Sequence, residues 1–66
     1  MTIETEREAD GRWLAEVIEI SGALAYGVTR EAAIAHAQAL ALRVMAERLE
    51  QGEELPDLAG VFSIAA

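Results

Sequence analysis

At 66 residues the chain has room for one domain, and its 53% hydrophobic and 26% charged residues belong to a folded globular protein rather than a disordered one. Twelve acidic residues against five basic ones give a formal charge of −7, which repels nucleic-acid phosphates and anionic membrane surfaces and argues against direct binding to either. Cysteine is absent and His36 is the single histidine, so disulfides are excluded, a histidine-based metal site has little to draw on, and self-association is the expected aid to so small a core.

The amino terminus carries Thr2, Glu4, Glu6 and Glu8 in place of a basic stretch followed by an apolar core. That is not a signal peptide, and no apolar run approaches the roughly 20 residues of a membrane span, so a cytoplasmic protein is expected. Residues 2–8 alternate with period two, Glu4, Glu6 and Glu8 on one side and Ile3, Thr5 and Arg7 on the other, and residues 12–18 alternate likewise. Between these strands Ala9, Asp10 and Gly11 suit a three-residue hairpin loop with Gly11 in the left-handed position. Such a loop sets Ile3 opposite Val17, Thr5 opposite Ala15 and Arg7 opposite Trp13. A two-residue Asp-Gly turn would instead mix carboxylates into the apolar side. The longer loop leaves Glu4 facing Glu16 on the outer face, a like-charge pair costing about 0.5 kcal/mol.

A third short strand is predicted over residues 23–26, after the Ser21-Gly22 turn and before Gly27. Thr29 is a good N-cap, and from Arg30 the composition turns to alanine, leucine, glutamate and arginine, which favour helix. The helix is predicted to run to Glu50 and stop at Gly52, with Pro56 beyond as a barrier to continuation. Val61, Phe62 and Ile64 in residues 60–66 read as a final strand. No internal repeat or second-domain boundary is evident, so a single domain over residues 1–66 is expected.

Projected around the helix, Ala33, Leu40, Val44, Ala37, Ala41, Ile34, Met45, Leu49 and Leu42 cover an arc of about 200°, wider than the ~100° that packing on one sheet requires. One edge of this arc, around Leu40 and Val44 or around Leu42 and Leu49, is therefore expected to pack on a second protein or a second copy. The plainer reading is that alanine and leucine tolerate exposure on a strong helix former. With Trp13 added, the candidate interface residues are Trp13, Leu40, Leu42, Val44 and Leu49.

Little in the chain promises catalysis: no cysteine, two serines, and a histidine on the polar ridge of the helix near Arg43 rather than beside an orienting carboxylate. Carboxylates such as Asp10 and Asp57 are explained by the hairpin loop and by the connection after Pro56, while Glu4, Glu6 and Glu8 form an outward face that protects a sheet edge. Glycines 22, 27, 52 and 60 fall at element ends, without the strand, glycine loop and helix order of a phosphate cradle. No catalytic, cofactor-binding or metal-binding residue is expected.

The acidic first strand, Asp10-Gly11, Trp13, Ala15-Glu16-Val17, Gly22, and then Gly27, Thr29, Glu31, Ala33 and Ala37 together resemble the HicB-like antitoxin domain. The resemblance runs from Glu4 to about Leu49. It implies an α+β fold of order β-β-β-α-β, partial RNase H-like, with a small mixed sheet and one long helix packed on one face. It also implies a partner, a small basic HicA-like toxin that cleaves messenger RNA and is masked by the domain. The chain departs from the family at Ile18 and Ser21, where prolines are common, and at Ala32, which forfeits a capping box. Such antitoxins commonly carry a C-terminal DNA-binding segment; none is expected here. A non-catalytic antitoxin-type binding module is the first expectation; the alternative is a stand-alone structural or adaptor homo-oligomer, a dimer, without toxin or DNA partner.

Overall fold

The computed structural model describes residues 1–55, 62 and 65. Three strands, β1 (Ile3–Arg7), β2 (Trp13–Val17) and β3 (Leu24–Gly27), form an antiparallel sheet in sequential order, and one helix, α1 (Arg30–Glu50), follows. This is the α+β arrangement anticipated for the first four elements. Among the described residues the sheet is wholly antiparallel; apart from Phe62 and Ala65, which are in no strand, the residues 60–66 expected as a final strand, on which a mixed sheet depended, lie outside them.

The first hairpin takes the three-residue loop. Glu8 N donates to Arg12 O at 2.7 Å and Gly11 N donates to Glu8 O at 3.0 Å, while Gly11 supplies a φ of 90° that other residues adopt at a cost. Asp10 fixes the same loop, its Oδ1 accepting from Arg12 N at 3.0 Å. The register follows: Ile3 faces Val17, Thr5 faces Ala15 and Arg7 faces Trp13. In the second connection Ile20 N donates to Val17 O, Ala23 N donates to Ile20 O, and Val17 N donates back to Ala23 O. Ala23 thus closes the turn instead of opening the strand, and β3 begins and ends one residue later than predicted. Ile20, in that turn, is buried in the core.

At the start of α1, Thr29 Oγ1 accepts from Ala32 N at 3.0 Å. At its end Glu53 N donates to Arg48 O at 2.9 Å and Gly52 N donates to Leu49 O at 3.0 Å, with Gly52 at φ 84°. These are the two bonds of a Schellman motif. Twenty-one residues at ~1.5 Å rise give a rod of about 30 Å, longer than the strands beneath it.

The helix buries Ala33, Ala37, Ala41 and Met45, one row at i, i+4 spacing, against Ala15, Val17, Ile20 and Ala23. Five of these eight core residues are alanines, which lets the helix lie close on the sheet but removes little apolar surface per residue. The larger side chains Ile3, Trp13, Ile34, Val44 and Leu55 are only partly buried around that narrow seam. Gly27 belongs to the same close contact: a Cβ there would lie 2.8 Å from Ala32 C and 2.9 Å from Ala33 Cα.

Candidate protein-binding surface

Period-two alternation splits the sheet into unlike faces. The inner face, carrying Ile3, Ala15, Val17 and Ala25, lies under α1. The outer face is covered by no described element. The register sets Glu4, Glu16 and Leu24 in one cross-strand row and Glu6, Leu14 and Tyr26 in the next. Carboxylates therefore fill the β1 side of this face and Leu24 and Tyr26 the β3 side, with Leu14 and Glu16 between them. Leu24 and Tyr26 are each more than two-fifths exposed. Glu4, Thr5, Glu6, Leu14 and Glu16 line a shallow depression of about 370 Å³.

One cation already rests on this face. Arg12, drawn down by Asp10 Oδ2 at 2.8 Å, holds its guanidinium 4.4 Å from the centre of the Tyr26 ring, a cation–π geometry. Hydrogen bonds from the Arg12 amide and from its guanidinium hold the Asp10 carboxyl below its ordinary pKa. Glu19 is lowered in the same direction by the Thr2 amide, which donates to its Oε1 at 2.8 Å. Glu4, Glu6 and Glu16 form no ion pair among the described residues.

The rim at β3 has its own device. Val17 N donates to Ala23 O, so the alternation of an antiparallel pair turns the peptide groups of Leu24 and Tyr26 outward, away from β2. His36 Nδ1 lies 3.0 Å from the Tyr26 carbonyl oxygen. A carbonyl only accepts, so this bond requires a proton on Nδ1. The mid-helix histidine that the sequence placed on a polar ridge thus stays exposed but covers part of a strand edge, a contact that linear spacing does not reveal.

The five candidate interface residues do not form one patch. Trp13 and Val44 are half-buried and pack on the molecule's own core, and Leu40 is half-buried. Leu42 is 61% exposed and Leu49 47%. Leu40 and Leu42 point about 200° apart on a helix, so they belong to opposite flanks. On the Leu42 flank a groove of about 480 Å³ runs between helix and sheet, lined by Met1, Ile3, Val17, Gln38, Ala41, Leu42 and Met45. The outer sheet face, by contrast, was not singled out from sequence, although the alternation of Glu4, Glu6 and Leu14, Glu16 carried its signal.

Among the described residues no three His, Cys, Asp or Glu side chains gather as a metal-holding group, and no polar or charged residue is buried. No helix there is long and apolar enough to cross a membrane. Compared with protein-family models, curated proteins and solved structures, the chain matches none.

Proposed function

We propose that this protein is a non-catalytic protein-binding module of the HicB antitoxin type, and that its partner is a small basic protein, which the resemblance identifies as a HicA-like toxin ribonuclease. The observation that carries this reading is uncompensated charge. The formal charge is −7, yet the described residues form two ion pairs, Arg12–Asp10 and Arg48–Glu53, each on the surface. Carboxylates that neither pair with cations nor converge on a buried site are poor acid–base catalysts but good attractors of a cationic surface. Complementary charge speeds encounter and selects the partner, while apolar contacts contribute most of the affinity.

The test is co-expression with a small basic protein encoded beside this one, followed by purification at low and high salt. A complex that survives at low salt and weakens as salt screens the charges supports the proposal. Failure of the two to co-purify even at low salt removes it.

A second reading, a stand-alone homo-oligomer, draws support from the groove beside Leu42 and from exposed Leu49. Light scattering on the wild type and on Leu42→Glu decides it. A dimer that the substitution converts to monomer supports this reading; a monomer in both removes it.

A further inference from the structure

We infer that the outer face of the sheet is the docking surface, and that its occupant is a cationic amphipathic segment of a partner protein, with apolar side chains set on Leu14, Leu24 and Tyr26 and lysines or arginines reaching Glu4, Glu6 and Glu16. This rests on the binding-module reading above and adds the place and the chemistry of contact. Four observations meet there.

The first is shape and lining. The face is uncovered by any described element, depressed between β1 and β2, and divided into an apolar side and an acidic side. A segment with one apolar and one basic stripe matches both at once, whereas an all-basic segment would leave Leu24 and Tyr26 wet and an apolar one would desolvate the carboxylates. The second is electrostatic. Glu4 stands directly opposite Glu16, with Glu6 two residues along, and no described cation pairs with any of them. Like charges directly opposite on a sheet destabilise the fold. A cation placed between them relieves that repulsion, so binding gains what folding loses.

The third is a precedent within the chain. The Arg12 guanidinium is held by the Asp10 carboxylate beside the Tyr26 ring on this face, so a cation paired with a carboxylate next to an aromatic side chain, the combination proposed for the partner's contacts, already exists there. The fourth is that the alternatives fit less well. The Leu42 groove is lined by Met1, Gln38 and apolar side chains and offers no acidic group to select a basic partner. The edge of β3, unpaired among the described residues, is partly closed by His36 on the Tyr26 carbonyl.

The experiment uses the isotope-labelled full chain and, as probe, a short amphipathic helical peptide of leucine and lysine, with a leucine and glutamate peptide as control. The lysine peptide is expected to shift the amide resonances of Leu14, Glu16, Leu24 and Tyr26, and the glutamate peptide to shift none. The double variant E4Q/E16Q should bind the lysine peptide about tenfold more weakly, as loss of two exposed ion pairs implies. The same variant should melt higher than the wild type, because the Glu4–Glu16 repulsion is gone. A fold defect cannot mimic that opposed pair of changes. Shifts confined to Gln38, Leu42 and Leu49, or affinity unchanged in E4Q/E16Q, or equal binding of both peptides, overturn the inference. If the lysine peptide binds nowhere while a basic neighbour still co-purifies, the docking face is wrong and the binding-module reading stands; if neither associates, both fall.

Discussion

Replacing Gly27 by alanine tests the close packing on which this small core depends. Gly27 does not have a positive φ, so the substitution carries no left-handed strain. Its cost is steric: the new Cβ would lie 2.8 Å from Ala32 C and 2.9 Å from Ala33 Cα, and closer still to Ala33 N. All three are backbone atoms of the first helical turn, so no rotamer change clears the space, and helix or strand must move by about half an ångström or more to restore ordinary contact. That movement pulls on the capping bonds from Ala32 N to Thr29 Oγ1 and from Ala33 N to Thr29 O, each 3.0 Å. Overpacking of this kind costs about 1–3 kcal/mol, against a gain of about 0.4–1 kcal/mol because alanine restricts the unfolded chain. A net loss of about 1–2 kcal/mol lowers the melting temperature of so small a domain by about 5–15 °C. Thermal and urea denaturation followed by circular dichroism measure it. Ala33→Gly should not rescue the variant, since glycine keeps the N and Cα that obstruct the new methyl. A Gly27→Ala protein as stable as the wild type, or more stable, would refute the close approach of β3 and α1.

Thr29→Ala removes the N-cap acceptor and should cost about 1 kcal/mol in the same melts. Gly52→Ala forces a side chain into the left-handed C-terminal position and should cost about 1–2 kcal/mol, seen as fraying of the last turn by amide exchange. Ala37→Leu inserts bulk where helix and sheet nearly touch and should destabilise by about 1–3 kcal/mol despite leucine's good helix propensity. The depressed pKa of Asp10 predicts the pH dependence. Its folded value lies below its unfolded one, so its contribution is present above the ordinary carboxylate range, about pH 4, and is lost as the pH falls through the folded value. Asp10→Asn can still accept the Arg12 amide bond but loses the ion pair, so the gap in melting temperature between wild type and variant should close on acidification. A gap independent of pH would show that the charge of Asp10 is idle.

Where structure is local, the residues declare it. Gly11 and Asp10 specify the hairpin loop and thereby the β1–β2 register, Thr29 specifies where α1 begins and Gly52 where it ends, because each satisfies a backbone demand within a few residues of itself. The width of the helix's apolar arc was legible too, but not its use. Leu40 and Leu42 look alike in a hydrophobic pattern, yet one is half-buried and the other exposed, because only the line along which the alanine row meets the sheet decides which flank is shaded. The outer face shows the same division. Alternation and the hairpin loop together determined that Glu4, Glu6, Leu14 and Glu16 would share a side of the sheet. That Leu24 and Tyr26 share it with them, that Arg12 leans onto Tyr26, and that His36 reaches the β3 edge were decided by the register of β3 and by where the helix lies. Turn chemistry and capping act over a few bonds and are written in consecutive residues; neighbourhood across a fold is a sum over distant pairs, and no single stretch of chain contains it.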